Sequence, residues 1–294
     1  MKRRIIKQGH NTLTLTLPSK WAKNFDIKAG DEVDLIEQGK DLKVSPEKTN
    51  GNSDRAVVDI TGMIIPMVWR LISSAYRAGY DEIKIIYENK KFGDIYKAYT
   101  YATMYGCASK NDEMKPLTPL EAIQALVNRF VGFEIVEQKH NYCVIKDLGE
   151  TSSKEFDNTL RRIFLLLQTM SDGIDESLTG DKESLEGFNI LDTNLDRFED
   201  FCLRVLNKNG YSDFKKTTTI YNLIFLLELM GDEYRRLGIH FFDIKKINKN
   251  IKDFTLLVDK MLKSYYELYY NFSKDKAEQL YKIDREGAEL FSKI

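Results

Sequence analysis

The sequence predicts a multidomain α+β protein: a small N-terminal β domain, a small α/β module and a C-terminal antiparallel helical bundle. Three observations predict it. Thr12-Leu-Thr-Leu-Thr-Leu17 alternates with the period of two that a half-buried strand requires. Residues 56–148 read strand, helix, strand, helix and then two strands. From Thr151 onward apolar residues recur every three and four positions, the spacing of a helix with one apolar seam. A length of 294 residues allows two or three domains, and 43% hydrophobic with 30% charged residues places the chain among globular proteins rather than disordered ones.

The first domain spans residues 1–46. Within residues 1–23 the basic side chains are Lys2, Arg3, Arg4, Lys7, Lys20 and Lys23, and there is no acid. Leu13, Leu15 and Leu17 share one face of the strand, and Pro18 ends it. Ser19 is the expected N-cap of a short helix over Lys20–Phe25, and Ile27-Lys-Ala-Gly30 turns the chain. Glu32–Glu37 and Asp41–Ser45 read as strands joined at Gln38-Gly-Lys40. A unit this small cannot bury an adequate core, and its amphipathic strands leave edges that must be paired. The economical solution is a dimer that interleaves two hairpins. Residues 47–55 are polar and read as a linker.

The α/β module spans residues 56–150. Ala56–Ile60, Ile64–Ala78 and Glu82–Tyr87 have the order of a βαβ unit. Phe92–Met104 leans helical, and a loop follows around Lys110–Lys115. Leu120–Phe130 reads as a helix, and Phe133–Gln138 with Tyr142–Leu148 as an antiparallel pair. No chemical motif falls here.

The bundle spans residues 151–294. Ser152 and Glu155 have the spacing of a capping box. Five apolar stripes follow: Phe156 to Ile174, Leu191 to Val205, Ile220 to Tyr234, Phe254 to Leu268 and Leu280 to Leu290. Asn207-Lys-Asn-Gly210 is a good helix stop.

Several function classes drop out. Cys107, Cys143 and Cys202 lie far apart with no C-x-x-C pair, against a disulfide scaffold or zinc ribbon. His10, His140 and His240 offer little for imidazole catalysis, and no phosphate-cradling G-x-x-x-x-G-K-S/T loop or H-E-x-x-H occurs. Glu137 and His140 fit E-x-x-H but sit at a strand end, where that spacing does not align side chains. Tyr265, Tyr266, Tyr269 and Tyr270 read as helix seam and margin. No apolar run approaches the roughly 18 residues of a membrane span, and polar Gln8–Thr12 follows the basic start where a signal peptide needs an apolar core. A cytoplasmic protein is expected. With 44 Lys+Arg against 45 Asp+Glu the net charge is -1, so the placement of charge matters more than its sum.

Asp192 with Asp196, and Glu228 with Asp232, stand four apart on the second and third bundle helices, at the margin of each stripe. Like charges at that spacing cost a helix roughly 0.2–0.5 kcal/mol per pair. A hard cation bridging the helices would offset this. Two solvated faces, neutralised by Arg197, Arg235 and Arg236, explain the spacing as well.

The first domain resembles the swapped-hairpin DNA-binding domain of the AbrB/SpoVT family. The carrying residues are Lys2-Arg-Arg4, the strand closed by Leu17-Pro18, the basic helix Lys20–Lys23 and Gly30-Asp-Glu-Val33. The resemblance implies a homodimer or higher oligomer that contacts DNA through Lys2, Arg3, Arg4, Lys7, His10, Lys20 and Lys23. Residues 151–294 look like the helical PhoU domain on Leu191-Asp-Thr-Asn-Leu-Asp196 and Leu227-Glu-Leu-Met-Gly-Asp232. The whole chain thus resembles archaeal phosphate-uptake regulators. That resemblance implies iron, zinc or another divalent metal at Asp192, Asp196, Glu228 and Asp232. It also implies a phosphate transporter ATPase or a sensor protein as partner, and no catalysis. Two departures stand out: Ala288 replaces an acid in Asp284-Arg-Glu-Gly-Ala288, and the second three-helix repeat is incomplete, so the last helices are expected to lean on another subunit. The alternatives are a transporter adaptor that never touches DNA, and a metal-dependent phosphohydrolase.

Overall fold

The computed structural model describes residues 2–38, 41–46, 54–92, 116–149, 155–244 and 247–293. The chain divides into two compact units, Met1–Ser53 with Ser212–Lys215, and Asp54–Tyr211 with Lys216–Ile294. The expected α/β module and the expected bundle both lie within the second unit.

The first unit is two separate antiparallel hairpins and a short helix. Strand β1 (Ile5–Gln8) pairs with β2 (Thr12–Leu15), and β3 (Val33–Gln38) pairs with β4 (Asp41–Pro46). Between them lies α1 (Ser19–Asn24). The sequence reading missed β1, whose Ile5 and Ile6 do not alternate. Gly9, at φ 71°, makes the turn into β2 and is the signal that could have revealed it. Ser19 is the first helical residue rather than the cap; Pro18 holds the cap position with no side-chain hydrogen bond. Its fixed φ suits a helix entry.

No described side chain in this unit is buried. Opposed Ile5 and Leu15 with Leu13 form one apolar face, at 66%, 51% and 70% exposure, and Leu35 and Leu42 are also exposed. An isolated two-stranded hairpin is marginal in water. The described side chains of these hairpins form no interior within one chain.

The second unit begins with a four-stranded sheet ordered β5-β6-β8-β7. Strand β5 (Arg55–Asp59) and β6 (Glu82–Ile86) are parallel, joined by α2 (Ile65–Ala78), as the βαβ spacing predicts. Helix α2 ends at Gly79, whose φ of 99° only glycine adopts readily. Helix α3 (Pro119–Val127) opens with a capping box: the Glu121 amide donates to the Thr118 hydroxyl, and the Thr118 amide donates to Glu121 Oε2 at 2.7 Å. Strands β7 (Phe133–Gln138) and β8 (Tyr142–Asp147) complete the sheet, both edges of β8 running antiparallel to their neighbours. Ile72, Tyr76, Ile83, Ile85, Ile123 and Ile145 centre its core. The expected helix over Phe92–Met104 and Cys107 lies outside the described residues, apart from Phe92.

The bundle comprises α4 (Phe156–Ser177), α5 (Phe188–Asn209), α6 (Thr217–Asp243), α7 (Lys249–Tyr270) and α8 (Lys274–Phe291). All five predicted stripes lie on these helices. Helix α4 buries Phe156, Leu160, Ile163, Leu167, Met170 and Ile174 against α5, α6 and α7. Its Phe164 sits within 6.2 Å, ring to ring, of Tyr265, Tyr266, Tyr269 and Tyr270, so those tyrosines are packing residues. Ser152 of the expected capping box is outside the described residues, and Glu155 is itself the cap. Gly210 ends α5 at φ 74°, as predicted.

Two glycines let the helices approach closely. A Cβ on Gly173 or Gly238 would stand 2.8 or 2.7 Å from the ring of Phe188, which the two helices grip from either side. Helix α8 leans on α7, burying Ile283 and Gly287, and an apolar groove of about 530 Å³ remains between α6, α7 and α8. Among the described residues no helix is long and apolar enough to cross a membrane.

Helix α2 packs on α5, which welds sheet to bundle. The weld is polar. Arg204 is fully buried and donates to the carbonyls of Tyr76 and Tyr80 at 2.9 and 2.8 Å and to Asp147 at 2.9 Å. Its guanidinium lies 4.8 Å from the Phe133 ring centroid. Arg77 pairs with Glu199 and Asp200, Lys208 pairs with Asp81, and Asn207 donates to the Arg77 carbonyl.

Candidate nucleic-acid interface and a charged cleft

The basic N-terminal residues fall on one small unit. Lys2, Arg3 and Arg4 lead into β1, Lys7 lies on β1, His10 is in the β1–β2 turn, and Lys20 and Lys23 are on α1. All seven are exposed. Among the described residues none of their side chains makes an ion pair or hydrogen bond. The first acid of the unit, Asp26, pairs with Lys28 at 3.0 Å and leaves the others uncompensated. Lysine and arginine without counter-charge suit phosphate oxygens better than base edges.

The acidic candidates are near one another, on facing margins of α5 and α6, but arginines hold most of them. Asp192 pairs with Arg235 at 2.9 Å, Asp196 with Arg129, and Asp232 with Arg235 and Arg236 at 3.5 and 3.3 Å. Glu228 makes no hydrogen bond or ion pair among the described residues. There, no group of three or more acidic, histidine or cysteine side chains is arranged to hold a metal ion. Where Asp192, Asp196, Glu228 and Asp232 were expected to form a ligand set, the structure pairs Asp192, Asp196 and Asp232 with arginines and leaves Glu228 without an ion pair among the described residues, and as they stand the four do not fit a divalent metal. Of the expected neutralising arginines, Arg235 and Arg236 take part and exposed Arg197 does not. Arg129, from the end of the α3 segment, was not foreseen.

Burial raises these carboxyls. Glu228 is pushed up to about 7 by desolvation, then by Asp196 and Asp232. Asp192 rises to about 7 by burial and the neighbouring Asp196, with Arg235 opposing. Glu199 rises to about 8 because burial outweighs Arg77.

Beside these residues a cleft of about 480 Å³ opens between α2 and the α5–α6 face. Pro66, Trp69, Arg70, Ser73 and Ser74 form its α2 wall, with Asp196, Asp200 and Glu228 opposite. The Arg129 guanidinium lies 4.6 Å from the Trp69 ring centroid. Elsewhere, Cys143 and Cys202 are buried and burial raises both thiols, Cys143 to about 12, so they pack rather than react. Glu137 accepts from Tyr142 and His140 meets Asn89, so the E-x-x-H pair is split between different partners.

The fold thus defines a class of protein: one unit of β-hairpins with no buried side chain among its described residues, and a second unit in which a sheet is welded to a helical bundle. The family described as antidote-toxin recognition MazE, bacterial antitoxin, matches residues 6–52. That family's domain is an AbrB-like swapped hairpin, which supports the N-terminal resemblance. Neither a curated relative nor a solved structure matches the chain.

Proposed function

We propose that the protein is a DNA-binding regulator that dimerises through its N-terminal hairpins. The observation that carries this reading is six exposed lysines and arginines, with His10, that make no ion pair or hydrogen bond among the described residues, on the unit whose residues 6–52 match the MazE family. Domains of that kind typically dimerise and bind DNA. The exposed face of Ile5, Leu13 and Leu15 supports dimerisation, because two copies together can bury what one leaves in water.

In this reading the sheet and bundle carry the regulatory input. The five amphipathic helices with their paired acidic positions support a PhoU-like bundle, and phosphate uptake is the process it would report, with a transporter ATPase or sensor protein as partner. With Asp192, Asp196 and Asp232 held by arginines, the reading routes no step through a metal.

Salt dependence tests the DNA half. If about 6–10 phosphates are neutralised, affinity for duplex DNA falls by roughly 10³–10⁵ between 50 and 200 mM salt. The triple variant Arg3→Ala, Arg4→Ala, Lys23→Ala flattens that slope and releases genomic fragments that the wild-type protein retains. Absence of DNA binding at low salt, or binding indifferent to salt, defeats the reading in favour of the adaptor. Retained fragments lying near phosphate-transport genes support the phosphate assignment, and a random distribution counts against it.

A further inference from the structure

The cleft between α2 and the α5–α6 face balances its charges except at two places. Of the three arginines lining it, Arg77 is engaged by Asp200 and Glu199, and Arg129 by Asp196. Those pairs also occupy two of the three lining carboxylates. One guanidinium and one carboxyl are left over: among the described residues the Arg70 and Glu228 side chains make no hydrogen bond or ion pair, and a cation placed beside Glu228 favours its ionised form. Arg70 is exposed at the rim and Glu228 is half-buried on the opposite wall.

That remainder selects the ligand. A bare anion on Arg70 would meet the lining carboxylates, and a bare cation on Glu228 would meet the lining guanidiniums; like charges at close range oppose either. A molecule carrying both charges satisfies both groups and leaves the net charge of the cleft unchanged. The remaining walls also suit an organic molecule. Pro66 and Trp69 are apolar surface, and the Ser73 hydroxyl makes no hydrogen bond among the described residues. The Ser74 hydroxyl donates to the Arg70 carbonyl at 2.7 Å and keeps its acceptor lone pairs. A volume of about 480 Å³ is in the range of small-molecule sites.

We propose that this cleft binds a small zwitterion of the amino-acid class, its carboxylate on Arg70, its ammonium on Glu228 and its apolar part against Pro66 and Trp69. The site joins an element of the sheet to two of the bundle, so the ligand bridges the two layers that α2 and α5 weld together.

The test is calorimetric titration and thermal shift of the full chain. The probes are the twenty L-amino acids, 4-aminobutyrate and 6-aminohexanoate, each at about 10 mM, where even millimolar affinity gives a measurable shift. Acetate, methylammonium and inorganic phosphate are the single-charge controls. At least one zwitterion binds saturably, and Arg70→Gln and Glu228→Gln each weaken it by roughly tenfold or more. Among the described residues neither side chain has a hydrogen-bond or ion-pair partner to lose, so Arg70→Gln keeps the unliganded melting curve of the wild type, and Glu228→Gln, relieved of the repulsion from Asp196 and Asp232, melts no lower; circular dichroism checks both. The proposal is overturned if no zwitterion binds, if binding survives unchanged in either variant, or if a single-charge control binds as tightly as the best zwitterion.

Discussion

Replacing Arg204 with methionine removes the centre of the weld between sheet and bundle while keeping most of the side-chain volume. The magnitude follows from what the guanidinium leaves behind. Asp147, nearly enclosed at 6% side-chain exposure, loses its 2.9 Å partner, and breaking one side of a buried ion pair costs about 3–5 kcal/mol. The Tyr76 and Tyr80 carbonyls lose donors at 2.9 and 2.8 Å, each worth about 1 kcal/mol net. Asp81 is protected, because Lys208 still pairs with it. Methionine regains part of the loss by packing on Tyr76 and Phe133. The expected net destabilisation is about 4 kcal/mol, and at roughly 2–4 °C per kcal/mol for a unit of this size the melting temperature falls by about 8–16 °C. Arg204→Lys keeps the charge but not the planar fork and falls between the two. Thermal unfolding followed by far-ultraviolet circular dichroism reads all three proteins. A melting temperature for Arg204→Met within about 2 °C of wild type would refute the idea that this buried cation holds the two layers together.

Further outcomes are expected. Under the dimer reading, the double variant Leu13→Asp, Leu15→Asp sediments as a monomer where the wild type sediments as a dimer, and the main thermal transition of the sheet and bundle stays unchanged, since those leucines belong to the other compact unit. Gly238→Ala places a methyl group against the Phe188 ring and lowers stability in urea by about 1–3 kcal/mol, whereas Gly187→Ala, with open space at its Cβ, shows no such clash penalty. Asp175 is pushed up to about 6 by burial and by Asp259, against the pull of Lys263. Its folded form therefore holds a proton that the unfolded chain has released, and stability falls as pH rises from about 4 through 6. Asp175→Asn flattens that decline and stabilises the protein at pH above about 7 by roughly 1 kcal/mol, a figure reduced for solvent screening and read by urea titration across pH.

Most secondary structure was legible because periodicity is local. The seam Phe156 to Ile174 announces α4, and every one of its named members is buried. Strand β1 was not legible because Ile5 and Ile6 sit among basic residues without alternation, and only the pairing of Ile5 with Leu15 gives them a strand role. The weld was hidden for a different reason. A one-seam reading of α5 puts Cys202 and Val205 inside and Arg204 outside. Yet Glu199 through Leu206 is buried all round, because α2 covers the side that α4 and α6 do not. Burial on both sides depends on which distant helix arrives, and a single stripe carries no record of that. The acidic pairs were seen at their correct spacing, but the partner of Asp196 is Arg129, 67 positions away. Spacing along one helix cannot name it.

A unit with no buried side chain among its described residues has a consequence for regulation under the dimer reading. Its interior is a shared property, so the assembled form follows the square of the free chain concentration while single chains predominate. A cell that halves its stock of the protein would then lose about three quarters of the assembled surface. The same hairpins that would grip DNA would thus also register how much of the protein is present, with dilution alone as the off signal.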